Sequence, residues 1–355
     1  MPILALFFKE NRNFGLGEKE VQFFPQGTLP CMTPEEGKFI LETKGSLAVA
    51  PDGNGGIYHA METNGIFADM KTRGVKYMHV TSVDNSLVQP ADPIFVGFCL
   101  SKDAEVGNKG CPKVSWDEKV GVMARKNDKP SVVEYSELDE ALAKQTDEEG
   151  NLLFRSGNIC NHLFSIDFLQ NKALPALANT YHVAHKKIPY ANDEGVKTTP
   201  TSPNGIKLEM FIFDVFPHAA NFAVFECDRE EEFAPVKNAP GEATDSPDSA
   251  RAMTFALHRR WLESSKANLE TENDAKAETL ACEVSPLVSM RGEGLEKLVQ
   301  SISSLKLPLN IRLASESPAV DKSKKRESVS SEDAPLEVKH YVNADNINIY
   351  EIAGA

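Results

Sequence analysis

The chain has 355 residues, of which 41% are hydrophobic and 25% charged, and its formal net charge is −14. This composition is typical of a soluble protein with a sizeable core, and the length allows two domains. The negative charge repels polyphosphate backbones, so it argues against nucleic acid or an anionic membrane as the main partner, although a few lysines can still form a local nucleotide pocket.

The cysteines and the apolar runs indicate the cellular location of the protein. Six cysteines are scattered without a C-x-x-C pair, which favours buried thiols in a reducing compartment. No apolar run approaches the about 18 residues of a membrane span. The apolar start at 1–9 lacks the basic flank and the cleavage site of a secretory signal. The sequence therefore predicts a cytoplasmic protein.

Helix-like and strand-like patterns alternate through the first two thirds of the chain. Apolar residues at approximately helical spacing predict a helix over 58–73, which Gly74 ends, and a strand follows over 76–83. Further apolar segments lie at 95–100 and 132–135. Strands are expected at 158–166 and 222–226, and an apolar helix is expected between them at 208–216. This alternation predicts an α/β protein with helices on the faces of its sheet.

Two regions interrupt that alternation. Residues 238–249 are rich in Pro, Gly, Asp and Ser, and they indicate a boundary or a surface loop. Residues 315–335 are mostly Ser, Lys, Glu, Asp and Pro, a composition that buries too little apolar surface to order itself.

The glycine-rich stretch 50–56 is the most informative for chemistry. It reads Ala-Pro-Asp-Gly-Asn-Gly-Gly and precedes a helix that is expected to begin near Ile57. Glycines let a backbone turn sharply and lie against a flat ligand, and a helix start offers free N–H groups to anionic or carbonyl groups. An ordinary strand-to-helix turn explains the glycines equally well.

Polar residues at predicted strand ends are further candidates. Asp84 and Asn85 follow a strand at its carboxyl end, where open α/β sheets bind ligands, and a carboxylate there can hold a Mg²⁺ that bridges phosphates. Taken singly, this pair is more often a turn. The same caution applies to other polar positions taken alone, namely Glu134-Tyr135, Gly157-Asn158, Lys207 and Lys237.

Three short patterns resemble metal-binding or phosphate-binding motifs but do not match them. Cys160 and His162 are too few ligands for a metal site, so core packing is the better interpretation. The sequences Gly15-Leu16-Gly17 and Gly292-Glu293-Gly294 have no preceding strand or carry an acid, so neither matches a phosphate-binding fingerprint.

Taken together, the chain resembles the eukaryotic UDP-N-acetylhexosamine pyrophosphorylases. The resemblance rests on ordered blocks that begin with Phe-Phe-Pro-Gln-Gly-Thr-Leu-Pro and cover 23–30, 50–58, 83–85, 133–137, 157–162, 186–190, 203–207, 229–239 and 282–287. It implies a Rossmann-like mixed α/β sheet of the nucleotidyltransferase (GT-A-like) type. The corresponding domains would be a partial catalytic domain over 1–240, a linker and small C-terminal domain over 241–310, and a disordered or divergent tail over 311–355.

The resemblance also implies site roles, position by position. Gln26 and Gly53 match residues that bind the uracil of the nucleotide, and Asn54 matches a contact to the sugar. Asp84 matches a contact near the phosphates through Mg²⁺. Glu134, Tyr135 and Asn158 match residues of the pocket that holds the N-acetylhexosamine. Lys207 matches a lysine that faces the nucleotide phosphate, and Lys237 matches one that faces the sugar phosphate.

The implied activity is uridylyl transfer. UTP and N-acetylglucosamine-1-phosphate would give UDP-N-acetylglucosamine and pyrophosphate, with Lys207 and Lys237 as the catalytic cations and a divalent metal such as Mg²⁺ as cofactor. No covalent enzyme intermediate is needed, because catalysis would come from positioning two polyanions and neutralising charge. The blocks at 157–162 and 229–239 favour the N-acetylhexosamine branch, while the choice between glucosamine and galactosamine and the oligomeric state stay open.

One family feature is not found in the sequence. The family's fold opens with a strand and a G-x-G-T-x-x-G loop, followed by Pro-Lys, upstream of the position of Gln26. The sequence therefore predicts an N-terminally truncated form of an active enzyme or a degenerate paralogue that binds a nucleotide sugar without turnover. A third alternative is a pyrophosphorylase for UDP-glucose or another UDP-sugar.

Overall fold

The computed structural model describes residues 2–177, 180–271, 280–316, 327–330, 335–343 and 345–353. They form two compact units: the first comprises Met1–Val80 and Pro93–Glu226, and the second comprises Thr81–Asp92 and Cys227–Ala355. The boundary therefore lies near 227 rather than at the expected 240, and the short segment 81–92 was not expected in the second unit.

The first unit contains seven helices and fourteen strands within the described residues. The helices are α1 Pro2–Glu10, α2 Ile57–Thr63, α3 Ile66–Thr72, α4 Pro93–Ser101, α5 Glu140–Ala143, α6 Ile166–Phe168 and α7 Leu174–Ala176. The strands are β1 Thr28–Pro30, β2 Leu41–Thr43, β3 Ser46–Leu47, β4 Val49–Pro51, β5 Tyr77–Thr81, β6 Val106–Pro112, β7 Val122–Lys126, β8 Lys129–Val133, β9 Ser156–Ser165, β10 His182–Lys186, β11 Tyr190–Ala191, β12 Lys197–Thr198, β13 Gly205–Glu209 and β14 Phe222–Glu226. Two 3₁₀ turns at Asn54–Gly56 and Ile212–His218 also shape the site described below.

A mixed six-stranded sheet forms the centre of the first unit. Its order is β14-β6-β9-β7-β8, with β5 paired to β9. Strand β14 runs parallel to β6, whereas β9 is antiparallel to both β6 and β7. Large buried side chains form one hydrophobic core with this sheet. They include Tyr58, Phe67, Phe164, Phe168 and Phe216. The expected α/β layering follows from that burial.

Three element predictions differ from the structure in instructive ways. The helix expected over 58–73 is two helices, because Gly65 adopts a φ of 70° between α2 and α3. The apolar segment 95–100 lies inside α4, where Phe95 and Cys99 are buried one turn apart. The helix expected over 208–216 is the end of β13 followed by the 3₁₀ turn. Short apolar runs do not distinguish strand from helix by periodicity alone.

The second unit contains three helices and seven strands within the described residues. The helices are α8 Arg229–Glu232, α9 Pro247–Ser264 and α10 Leu295–Ser301. The strands are β15 Leu269–Glu270, β16 Cys282–Val284, β17 Leu305–Lys306, β18 Leu309–Leu313, β19 Glu327–Ser328, β20 Glu337–Val342 and β21 Asn348–Ala353. Five of these strands form a mixed sheet in the order β16-β18-β21-β20-β19. No described helix has the length and apolar character needed to cross a membrane.

The expected disordered or divergent tail over 311–355 differs from the structure. Strands β18, β20 and β21 lie side by side in the sheet, and Val338, Tyr350 and Ile352 are buried. The apolar residues of 337–342 and 348–353 supply that buried face, and they follow the polar stretch 315–335, on whose composition the expectation of a disordered tail rested. Within 315–335, residues 317–326 and 331–334 lie outside the described residues.

A compact loop at Ser289–Glu293 is built around one carboxylate. The Glu293 side chain accepts hydrogen bonds from Ser289 Oγ at 2.8 Å, from Met290 N at 3.0 Å and from Arg291 N at 2.6 Å. Burial raises the pKa of Glu293, but these hydrogen bonds outweigh it and lower the pKa to about 2. The ionised carboxylate is therefore the form that holds the loop.

We expect Glu293→Gln to remove acid-sensitive stability. Because the folded pKa lies near 2 and the ordinary value is 4.5, the contribution of Glu293 is fully present above about pH 4.5 and is lost as the pH falls towards 2. Denaturant unfolding followed by Trp261 fluorescence in a Trp116→Phe background measures this. Wild type and variant should differ at pH 6 and converge towards pH 2, whereas a pH-independent difference would contradict the role of the charge.

Candidate functional site

The glycine-rich loop at 50–56 is held by a two-stranded sheet. Strands β1 and β4 pair antiparallel, with Thr28 opposite Pro51. Beyond the sheet, the Asp52 N–H donates to Gly27 O at 3.2 Å. This pairing fixes the loop beside the Gln26-Gly27 segment.

Gly53 and Gly55 are required by a close backbone approach. Gly53 has a φ of 88°, and a Cβ there would lie 2.2 Å from Met210 O. A Cβ on Gly55 would lie 2.6 Å from Phe211 O. Two hydrogen bonds hold this approach, from Met210 N to Asp52 O at 2.8 Å and from Gly55 N to Met210 O at 2.9 Å. Only glycine combines that φ with that space, so the close approach of the Met210–Phe211 backbone accounts for these glycines, and contact of the loop with a ligand stays a prediction.

Gln26 is oriented by the loop itself. Its Nε2 donates to Gly53 O at 2.6 Å, so the amide oxygen Oε1 faces the other way. In the described part of the chain, no other group hydrogen-bonds to Gln26 Oε1 or to the Gly53 N–H. The expected pair of uracil-binding residues is therefore in direct contact, and it presents one acceptor and one donor.

Asn54 and Tyr58 hold the backbone of Ile212 from two sides. Asn54 Oδ1 accepts from Ile212 N at 2.9 Å, and Tyr58 Oη donates to Ile212 O at 2.6 Å. Burial raises the pKa of Tyr58 well above its ordinary value, so its hydroxyl stays protonated as a donor. The expected sugar contact at Asn54 thus also has a structural task. Sequence gave no sign of Ile212, which lies 158 residues away.

Asp52 is a buried carboxylate beneath the same loop. The residue is 6% exposed, and Cβ atoms on Gly27 and Gly56 would lie 2.3 Å and 2.1 Å from its two carboxylate oxygens. No group among the described residues hydrogen-bonds to Asp52 Oδ1. Sequence analysis did not single out this residue, although its place between two glycine-containing segments was visible.

The three expected sugar-pocket residues do not share one environment. Gly121 O accepts from Asn158 N at 2.8 Å, and a Cβ on Gly121 would lie 3.0 Å from Glu134 Oε1. Glu134 and Asn158 therefore both adjoin Gly121, which the sequence analysis missed. Tyr135 follows β8 and is 48% exposed.

A β-bulge in β9 displaces the backbone next to Asn158. Gly110 pairs with Asn158 and Lys109 with Asn161, so two residues of β9 have no counterpart on β6. Cys160 in this bulge has a φ of 53°. Bulges of this kind redirect side chains and are frequent beside functional sites. Asn158 before the bulge is half-buried, whereas Asn161 and His162 after it are buried.

His162 belongs to the core, as the sequence analysis preferred. It is fully buried, and burial lowers its pKa to about 3, which keeps the ring neutral. Its ring packs 5.2 Å from Phe216 and 5.8 Å from Phe164, centroid to centroid. Within the described ranges, no group of three His, Cys, Asp or Glu side chains is placed to hold a metal.

Lys207 lies on β13, opposite Ala184 of β10. The neighbouring residue Ile206 bridges to Met32, which continues the chain from β1. Burial raises the pKa of the Cys31 thiol, and the Lys207 ammonium partly offsets this effect. The lysine is therefore a partly buried cation in the part of the first unit that also carries β1.

Asp84 and Lys237 both belong to the second unit, where backbone pairing brings them together. Val236 N donates to Asp84 O at 2.8 Å, and Asn85 bridges to Pro235 as an isolated β-pair. Ser82 Oγ donates to Asp84 Oδ1 at 2.5 Å, which orients the carboxylate. The Lys237 side chain is exposed, with its Nζ 6.0 Å from the centre of the Phe233 ring.

Seven of the nine expected residues form three local groups, and Tyr135 and Lys207 lie outside these groups. Gln26, Gly53 and Asn54 share one loop, and Glu134 and Asn158 share Gly121. Asp84 and Lys237 form the group in the second unit. These groups provide a hydrogen-bonding edge, a polar cluster beside Gly121, and an acid and a lysine on two backbone-paired segments.

Comparison with known proteins supplies the relationship. A Xenopus tropicalis UDP-N-acetylhexosamine pyrophosphorylase-like protein 1 is 45% identical over 308 residues, or 83% of this chain and 60% of that protein. Arabidopsis thaliana UDP-N-acetylglucosamine diphosphorylase 2 is 45% identical over 297 residues, or 82% of this chain and 57% of that protein. The chain thus spans about three fifths of these relatives' length.

A solved structure agrees with the sequence comparison. The crystal structure of a candidate UDP-N-acetylglucosamine pyrophosphorylase from Entamoeba histolytica matches 87% of this chain and 74% of its own, at 33% identity and a TM-score of 0.77. This likeness confirms the predicted mixed-sheet nucleotidyltransferase fold, and the relatives confirm the resemblance to the UDP-N-acetylhexosamine pyrophosphorylases. Residues 7–299 match the family described as UTP–glucose-1-phosphate uridylyltransferase, and this chain belongs to that family.

Proposed function

We propose that this chain acts as a uridylyltransferase that forms UDP-N-acetylglucosamine and pyrophosphate from UTP and N-acetylglucosamine-1-phosphate. The observation that supports it most is the contact of Gln26 with Gly53, since among the described residues it leaves the acceptor Gln26 Oε1 and the Gly53 N–H donor available to a base. The names of relatives at 40–45% identity support the choice of reaction. Its six free thiols support a cytoplasmic location.

The hydrogen-bonding edge of uracil fits this pair. Uracil places the acceptor O4 next to the donor N3–H, whereas cytosine places an amino donor next to a bare ring nitrogen. The Gly53 N–H would donate to O4, and Gln26 Oε1 would accept from N3–H. Cytosine would meet donor against donor and acceptor against acceptor. The loop therefore favours uridine over cytidine nucleotides.

The phosphates would be held by cations. Lys207 would face the nucleotide phosphates and Lys237 the sugar phosphate, which keeps the roles implied by the resemblance. The single carboxylate of Asp84 suits Mg²⁺, which usually takes one or two carboxylates and completes its shell with phosphate oxygens and water. Such an ion would neutralise phosphate charge when bound.

The sugar would lie near Gly121. Glu134 and Asn158 adjoin this glycine from β8 and β9 and offer acceptors and donors for hydroxyl and acetamido groups. Tyr135 offers an exposed aromatic face of the kind that packs against a sugar ring. The preference for N-acetylglucosamine or N-acetylgalactosamine is open in this arrangement.

The reaction needs alignment more than a nucleophilic residue. An oxygen of the sugar phosphate attacks the α-phosphorus of UTP, the bond from the α-phosphorus to the α,β-bridging oxygen breaks, and pyrophosphate leaves with that oxygen. Loop 50–56 would hold the base, Lys207 would neutralise charge on the nucleotide phosphates, and Lys237 would neutralise charge on the sugar phosphate. Alignment and pre-organised charge account for most catalysis in reactions of this type.

The direct test is to incubate the purified chain with UTP, N-acetylglucosamine-1-phosphate and Mg²⁺ and to measure UDP-N-acetylglucosamine and pyrophosphate. Formation of both supports the proposal. Calorimetric binding of UDP-N-acetylglucosamine without turnover would instead identify a nucleotide-sugar-binding protein. Faster turnover with glucose-1-phosphate would identify a pyrophosphorylase of other sugar specificity.

We expect Gln26→Leu to weaken UTP binding about tenfold, the effect of losing roughly 1.4 kcal/mol of hydrogen bonding. The preference for UTP over CTP should shrink as well, because the acceptor for N3–H is gone. Calorimetry with both nucleotides measures this. Gln22→Leu is the matched control, since Gln22 is exposed on the same segment and should leave both affinities unchanged. Equal effects of the two substitutions would contradict base recognition by Gln26.

A further inference from the structure

We propose that Arg291 is a positioning residue for the Asp84–Lys237 pair. The inference rests on the proposed function for its catalytic consequence, while its structural basis is independent of any substrate. It concerns the second unit alone, and neither the sequence analysis nor the resemblance pointed to this arginine.

Two chain segments must stay in register to keep Asp84 and Lys237 together. Asn85 is 3% exposed, and its Nδ2 donates to Glu232 O at 2.7 Å while its Oδ1 accepts from Ala234 N at 2.9 Å. Ser86 N also donates to Ala234 O at 3.0 Å. Together with the bond from Val236 N to Asp84 O, these contacts align 84–86 with 232–237. Asp84 and Lys237 sit at one end of that alignment.

Arg291 closes the same two segments at the other end. Its Nη2 lies 2.9 Å from Asp92 Oδ2 and 3.6 Å from Glu232 Oε1. Asp92 ends the segment 81–92 and Glu232 ends α8, so one guanidinium touches a carboxylate from each side. Both acids are buried, with Asp92 2% and Glu232 6% exposed. The contact is thus an ion-pair bridge between the segments that carry Asp84 and Lys237.

Burial makes this bridge consequential. Two buried carboxylates close to the same cation are stabilised by it, and removing the cation takes that stabilisation away from both. The expected response is local opening, in which one carboxylate returns to water and its segment moves with it. Because Asp84 and Lys237 lie on those segments, their separation would then no longer be fixed.

The backbone of Arg291 is itself immobilised. Its N–H donates to Glu293 Oε2 at 2.6 Å, and Gly292, at a φ of 89°, lies against the Trp261 ring, 2.9 Å from the position a Cβ would take. The guanidinium therefore projects from a fixed loop. Because its backbone is fixed, Arg291 can restrain the two segments instead of moving with them.

Hydrogen exchange tests the structural part without substrate. Arg291→Gln removes the charge, Arg291→Lys keeps it, and Arg251→Gln is the matched control at an exposed arginine of α9. We expect the Ser86 and Val236 amides to exchange at least about tenfold faster in Arg291→Gln, with near-normal rates in the other two variants and for β14 of the first unit. Unchanged exchange at Ser86 and Val236 overturns the proposal whatever the activity is.

Kinetics then test the catalytic part. Arg291→Gln should lower kcat for UDP-N-acetylglucosamine formation by about 10- to 100-fold with little change in KM for UTP, because misplacement of the phosphate-side residues slows the reacting step. Arg291→Lys should restore most of kcat. Faster exchange with unchanged kcat, or a loss confined to KM, would overturn the positioning role. If wild type makes no product, the proposed function fails and the exchange result alone decides whether Arg291 holds the two segments.

Discussion

Gly53→Ala is expected to abolish UTP binding and to lower turnover at least about 100-fold, the scale at which small displacements of a positioned group act. The new methyl group would lie 2.2 Å from Met210 O, and the residue would need a φ of 88°. The loop must then shift, which breaks its contact with Gln26 and moves the donor that would meet uracil O4. Calorimetric titration with UTP and steady-state kinetics measure the two effects.

A matched glycine separates this clash from ordinary backbone strain. Gly150 has a φ of 85° and no atom within 4 Å of a potential Cβ. Gly150→Ala should therefore show only the backbone cost of about 1–3 kcal/mol in unfolding free energy and keep UTP affinity. If both variants lost stability equally and bound UTP normally, the close approach of Gly53 to Met210 would have no role in recognition.

Lys207→Met is expected to reduce turnover about 10²- to 10³-fold, the usual effect of removing one pre-organised charge or donor from a charged transition state. Methionine keeps much of the apolar stem, so packing beside Cys31 and Ala184 should be preserved. We expect a larger fall in kcat than in the affinity for uridine itself, because the base-binding contacts of Gln26 and Gly53 are untouched. Single-turnover measurements with UTP, and binding of uridine, compare the two.

Lys197→Met is the charge-matched control for that experiment. Lys197 is exposed in the first unit and pairs with Glu42 at 3.1 Å, an interaction whose loss costs little. Its variant should keep full activity. Comparable losses in both variants would mean that net charge, rather than the position of Lys207, governs the rate.

The sequence predicted the elements whose formation depends on a local pattern of residues. The glycines at 50–56 indicated a sharp turn ahead of a helix, and Gly53 and Gly55 do allow a close backbone approach at that turn. The same reasoning located the strand at 222–226 with its observed ends and most of β9. The family resemblance then added roles that no single residue could have supported.

Contacts between residues that are far apart along the chain could not be predicted in this way. Nothing near Gly53 in sequence identifies Met210, and nothing near Asn158 identifies Gly121 or the bulge at Cys160. The strands at 337–342 and 348–353 were missed for a related reason, because they form only through the pairing of β21 with the earlier strand β18 and of β20 with β21. Each failure concerns a partner that lies far along the chain.

The second unit is assembled from 81–92 and from residues after 227, with Pro93–Glu226 intervening. During synthesis at about 5–20 residues per second, the Asp84 segment would leave the ribosome well before its partners Ala234 and Val236 exist. Native pairing of that segment must wait for a long loop to close, which slows folding. Until then Asn85 lacks its partners Glu232 and Ala234, so the segment 81–92 reaches its native pairing only after the chain beyond Glu226 has been made.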